Sequence, residues 1–220
     1  MDIRHLSSEF FGGLRKRDLD ILAVLTTKVR FLSLRQIAET HFANDIANSI
    51  RRLDYLEERG MLVSYRLNTR TPPPIDSPLV VWNPGQDQPN FTRLAYQLTK
   101  RWLRQGTRIR MCYFAGTKFE AITGVRCQSK PVHPLQASHD LGLAGLYLHF
   151  RCVRPNEAIC WLGEHARSPV ELKNQQPDAV LLDSMKEPVK AIEYGGLYNA
   201  KRLERFHRWC QQRSLPYEIW

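Results

Sequence analysis

The sequence predicts an α+β fold built in two parts, and three observations carry that expectation. Apolar residues recur at helical spacing three times before residue 60. The turn-forming segment NPGQDQPN, residues 83–90, then separates a first unit, residues 1–84, from a second, residues 91–220. From Leu135 onward, helical and strand patterns follow in the order αβββαβ. With 220 residues, 43% of them hydrophobic, the chain has enough apolar side chains for real cores.

In the first unit, Leu19, Ile21, Leu22, Val24 and Leu25 predict a helix over Asp18–Thr27. Ser33 is placed to cap a second helix containing Leu34, Ile37 and Ala38. After the turn at Phe42 and Ala43, Asn44 is the expected cap of a third helix, which Gly60 stops. At about 100° per residue, Ile46, Ile50, Leu53 and Leu56 share one side and are expected to face the core. The opposite side gathers Asn44, Asn48, Arg51 and Tyr55, with Arg52 at its flank, a set able to reach base edges and phosphates as well as to form ordinary solvated surface. Met61–Leu67 reads as a strand, TPPPIDSP as a tip, and Leu79–Trp82 as the expected antiparallel return.

The formal net charge of +10 points to a polyanionic partner, and its distribution is uneven. Residues 91–130 hold nine basic residues against one acid. Lys100, Arg101, Arg104, Arg108 and Arg110 are interleaved there with Trp102 and Tyr113, a mixture suited to phosphates and to stacking on unpaired bases. Phe91–Arg104 has helical spacing and Arg108–Ala115 alternates like a strand; TKFEAITGVRCQSKPVHP has no clear pattern. The αβββαβ run comprises a helix over Ala137–Phe150, strands near Ile159–Leu162, Ala179–Asp183 and Val189–Tyr194, a helix over Asn199–Arg213 and a strand at Pro216–Ile219.

Five cysteines without a Cys-x-x-Cys pattern, and histidines without zinc spacing, argue for small buried thiols in a reducing compartment rather than structural zinc. The longest apolar stretch, Leu141–Phe150, is too short for a membrane span, and MDIRHLSSEFF lacks a signal peptide's apolar core. A cytoplasmic protein with no membrane partner is expected.

LSLRQIAETHF, ANSIRRLDYLEERGML and the expected hairpin, over roughly residues 14–84, resemble winged helix-turn-helix DNA-binding domains. The resemblance implies double-stranded DNA as partner, the third helix in the major groove, and Arg66 and Arg70 on backbone phosphate. Winged helices also mediate protein contacts.

The αβββαβ order resembles the PD-(D/E)xK nuclease core, in which one acid begins the second strand and another ends the third. Here these are Asp178 in PDAVLL and Glu193 in VKAIEYGG. The resemblance implies Mg²⁺ or Mn²⁺ held by Asp178 and Glu193, with Asp140 as a third ligand and His139 positioning water or phosphate, and no nucleotide cofactor. The expected Glu-x-Lys is Glu193-Tyr194-Gly195, so the lysine is missing from its place; Lys201, early in the next helix, is the substitute candidate. Gly195 and Gly196 are candidates for close approach of backbone to ligand.

The winged helix together with HDLGLAGLY, PDAVLL and IEYGGLYNAKRLERFHRWC is similar to plasmid replication-relaxation proteins and MOB-C class conjugative relaxases. That similarity implies a mobile-element protein that nicks DNA at an origin of transfer, with mobilisation or replication proteins, a partly single-stranded DNA, or a second copy as partners. The alternative is a non-catalytic transcriptional or replication regulator, or a mobilisation accessory factor, whose nuclease-like domain serves docking.

Overall fold

The computed structural model describes residues 13–123, 130, 133–167 and 177–220. Among them it is an α+β protein with two sheets. The first half contains α1 (Lys16–Thr27), β1 (Leu32–Ser33), α2 (Leu34–His41), α3 (Ile46–Glu58) and β2 (Leu62–Arg70). Ser33 and Gln36 close a reciprocal cap on α2, each side chain bonding the other's backbone end. Asp45, not Asn44, caps α3 by accepting from Asn48 N at 2.9 Å. Ala43 and Asn44 instead occupy the left-handed region, at φ 50° and 67°, which turns the chain between the two helices.

The strand returning against β2 is β4 (Thr107–Ala115), in antiparallel register from Leu62↔Ala115 to Arg70↔Thr107. This corrects the expected hairpin with Leu79–Trp82. That segment supplies only β3 (Val80–Trp82), which joins the other sheet at Val80↔Ile219 and Trp82↔Tyr217. Trp82 decides the matter: there it stacks on Tyr217 at 5.2 Å and is buried, whereas β4 matches β2 over its whole length. Between β3 and β4, Asn90 caps α4 (Phe91–Leu103), whose Leu94, Leu98 and Trp102 are buried at the expected spacing. The first sheet has the order β1-β4-β2.

After α5 (Thr117–Thr123), part of the unpatterned stretch, residues 124–129, 131 and 132 lie outside the described residues, Cys127 among them. The second half has α6 (Pro134–Val153), α7 (Pro155–Cys160), β5 (Trp161–Gly163), β6 (Ala179–Leu182), β7 (Pro188–Glu193), α8 (Ala200–Gln211) and β8 (Tyr217–Ile219). The expected strand start at Ile159 is helical, because α7 runs to Cys160 with Ile159 exposed. The second sheet has the order β3-β8-β7-β6-β5, antiparallel except where β7 and β8 run parallel through the α8 crossover.

One apolar cluster runs from Ile21 and Leu22 of α1 through Leu146 and Phe150 of α6 to Ile192 and Trp220, so the halves share a core. α3 meets it through Ser49, Leu53 and Leu56, all fully buried. Ile46 and Ile50, expected in that core, are 43% and 38% exposed. Arg52 takes the flanking inward position: it ion-pairs with the fully buried Asp18 and donates to Gly13 O at 2.7 Å. Of the cysteines, Cys112 and Cys210 are buried as expected, Cys160 is intermediate and Cys152 is exposed. No helix among the described residues is long and apolar enough to cross a membrane.

Candidate functional site

Three elements converge on one cleft. The pair Ala179↔Ile192 places Asp178, just before β6, beside Glu193, the last residue of β7. Tyr194 N donates to Asp178 Oδ2 at 2.7 Å, and Asp178 N donates to Glu193 Oε2 at 3.2 Å, so each acid is braced by the other's strand. The first half of α6 supplies His139 and Asp140. Gly142 lets that helix approach closely, since a Cβ there would collide with the Tyr194 ring.

His139 is the hub. Its Nε2–H donates to Tyr194 O at 2.7 Å and lies 3.2 Å from both Asp178 Oδ2 and Tyr198 Oη, while Nδ1 is 3.6 Å from Asp140 Oδ1. Burial opposes the imidazolium, but Asp178 and Asp140 overcome it and hold the pKa well above its ordinary value. Asp140 accepts from Arg30 Nη1 at 2.7 Å and Gln136 Nε2 at 2.6 Å; despite burial, His139 and Arg30 hold its pKa below the usual carboxylate value. Glu193 behaves oppositely: burial and then the Asp178 charge push it up to about 8, against the pull of Arg202 and His139. Glu164, just after β5, is also raised, by burial and by Asp178.

The cleft has a volume of about 340 Å³, and its walls include His139, Asp178, Glu164, Tyr198, Arg70 and Arg202. Sequence reasoning brought the first two here but gave Arg70 to a wing. In the fold, Arg70 ends β2 at the cleft: its N–H donates to Ser138 Oγ at 3.0 Å and its guanidinium to Trp102 O at 3.1 Å. Lys201 is exposed and stands outside the lining; Arg202, the next residue, lies over the Tyr198 ring at 3.8 Å with Nη2 3.9 Å from Glu193 Oε1. Helical phase separates neighbouring side chains by about 100°, so KR in AKRLER offered two candidates that only the packing of α8 distinguishes. Glu164 carries no sequence signal, since its strand is three residues long.

Gly195 serves packing: Leu98 fills the space a Cβ would need, and Trp102 Nε1 donates to Gly195 O at 2.6 Å. Gly196 does border the cleft, between Tyr198 and His139. Among the described residues, no group of three or more His, Cys, Asp and Glu side chains is disposed to hold a metal ion; Asp140 is drawn away to Arg30 and Gln136.

The residues expected at DNA are divided. Asn44, Arg51 and Arg66 are exposed and Asn48 is half-buried. Tyr55 is flanked by the guanidiniums of Arg52 and Arg59, at 4.3 and 4.5 Å. Lys100 and Arg104 are exposed at the end of α4, and Arg101 donates to Pro74 O at 3.3 Å. No protein-family model, curated protein or solved structure matches the chain.

Proposed function

We propose that the chain is a DNA-binding protein that directs a backbone phosphodiester into the acidic cleft and nicks it with the help of a divalent cation. The observation that carries the reading is the pair Asp178 and Glu193, two buried carboxylates on adjacent strands, of which Asp178 lines a cleft also walled by Arg70 and Arg202 while Glu193 lies behind it, 3.9 Å from Arg202. Two orders support it. The succession α1-β1-α2-α3-β2-β4 with sheet order β1-β4-β2 is compatible with a winged helix in which the long β2–β4 pair would be the wing, with residues 71–106 inserted at its tip. The succession α6-β5-β6-β7-α8-β8, with only β7 and β8 parallel among these strands, is compatible with a PD-(D/E)xK core.

Asp178 and Glu193 suit an oxygen-preferring cation: burial first and the neighbouring Asp178 charge second raise Glu193 to about 8, and Mg²⁺ or Mn²⁺ would offset the repulsion between the two carboxylates. When bound, such an ion supplies charge neutralisation and a more acidic water. The chain's own contribution is positional. Arg70 and Arg202 offer guanidiniums to phosphate oxygens from two walls, and protonated His139 holds Asp178 in place. Basic α4 and exposed Arg66 extend the positive surface for backbone. The similarity to replication-relaxation proteins and MOB-C relaxases extends the reading to a mobile element's origin of transfer.

One observation favours a non-catalytic regulator instead: Asp140 and Asp178 are already engaged by Arg30 and His139, and no lysine is among the described residues of the cleft wall. Incubating supercoiled plasmid carrying the protein's genomic neighbourhood with Mg²⁺ or Mn²⁺ separates the two. Relaxed circles made by wild type but not by Asp178→Ala or Glu193→Ala are the expected result; bound but intact DNA with every metal overturns nicking in favour of regulation.

A further inference from the structure

On the DNA-binding reading, we propose that Ile46 and Ile50 read thymine methyl groups in the major groove, so that α3 selects thymine-containing duplex sites. The observation is the departure from the expected core. These isoleucines are 43% and 38% exposed although helical phase leaves them about 40° apart, one turn from each other, on a helix whose Ser49, Leu53 and Leu56 are fully buried.

Their surroundings are those of a polyanion site with an apolar floor. Ile46 borders a groove of about 530 Å³ between the starts of α2 and α3 and the wing strand β4, with Asn44, Arg35, Arg108, Ile109 and Arg110 on its walls. After burial, the charges of Arg108 and Arg35 are what lower the Arg110 pKa, so positive groups crowd there. Arg35 also pairs with Glu39 at 2.6 Å, an exposed pair of small worth that a phosphate can displace. Asn44 and Arg51 stand beside the isoleucines; the exposed Asp45 carboxylate before Ile46 is turned onto the helix N-terminus, where it accepts from Asn48 N, and Asp54 and Glu58 lie in the later turns. Charge complementarity therefore admits DNA at the N-terminal half of α3, where a recognition helix meets bases. In the major groove, an apolar side chain distinguishes thymine by its C5 methyl, and amide and guanidinium groups take adjacent edges.

Duplexes enriched by the full-length protein from a randomised library supply the probe, and uracil replacing thymine removes only the methyl. For wild type, each contacted thymine changed to uracil is expected to weaken binding about fourfold, the factor one buried methyl supplies. Ile46→Ala/Ile50→Ala is expected to bind the thymine and uracil duplexes alike; both positions are exposed, and circular dichroism verifies its fold. If wild type binds DNA yet is indifferent to uracil, the methyl reading is overturned while the DNA-binding reading stands, leaving the isoleucines to a protein partner. Failure to enrich any duplex overturns both.

Discussion

Both halves of the molecule bury acids, but they treat them differently. Asp18, fully buried beneath α3, accepts from both the Arg52 guanidinium and Arg15 N, so its charge is met where it stands. In the second half Asp140, Asp178 and Glu193 are buried around His139; Glu193 is driven up to about 8, and among the described residues His139 Nδ1 makes no hydrogen bond, only a 3.6 Å ion contact with Asp140 Oδ1. Breaking a satisfied buried pair strands a charge in the core, whereas groups with strongly opposed pKa shifts in a cleft are candidates for chemistry or binding. The contrast assigns Arg52 to structure, though its sequence position suggested DNA.

The largest expected effect tests that assignment. Arg52→Ala leaves a buried carboxylate without its cation and is expected to cost about 3–5 kcal/mol, read from urea unfolding. DNA affinity per folded molecule should be unchanged; a selective loss of affinity in a fully stable variant would return Arg52 to the interface.

Next comes acid sensitivity. His165 is half-buried beside Arg30, and desolvation first and the Arg30 charge second hold it down to about 4 while its ring donates to Leu25 O. Its folded pKa lies below the ordinary 6.5, so it costs nothing above that value. Stability should fall by about 3 kcal/mol as pH drops from 6.5 to 4. His165→Gln should flatten this limb in pH-dependent denaturation.

Glu193 has the opposite sign, because its raised pKa makes ionisation unfavourable in the fold. Wild type should lose stability as pH rises from 4.5 to about 8, on the order of 2 kcal/mol after allowing for coupling to Asp178. Glu193→Gln should reduce that slope, leaving the smaller part due to Glu164 and His139, and should abolish any nicking. A slope unchanged by the substitution would place the titration elsewhere.

The smallest effect concerns α3. Ile46→Ala and Ile50→Ala should each change stability by less than about 1 kcal/mol, against about 2–5 kcal/mol for fully buried Leu53→Ala. Equal costs would mean that all three side chains serve the core.

Much of the site was legible in sequence for a local reason. Asp178 and Glu193 sit at the ends of strands whose apolar runs are readable, and strand alternation sets which side chains share a face. His139 and Asp140 were also legible as a pair, but their partners were not: Arg30 is 110 residues from Asp140, and no local pattern encodes so distant a contact. Arg70, Arg202 and Glu164 were missed as cleft residues for the same reason, since each reaches it from a different element.

Sequence by itself determined the α+β class, the order of the longer elements and most of their helix limits, but not β1, α5 or α7, because capping and periodicity act within a few residues and need several turns to show. Strand partnership was decided only by tertiary structure. β2 chose β4 across 36 intervening residues and β3 chose β8, since those pairings match strand lengths and bury Trp82. The face of α3 was settled in the same way. Ile50 and Leu53 are equally apolar in sequence, and only the packing of α1 and the Asp18–Arg52 pair against the helix determined which one meets the core and which is left to solvent.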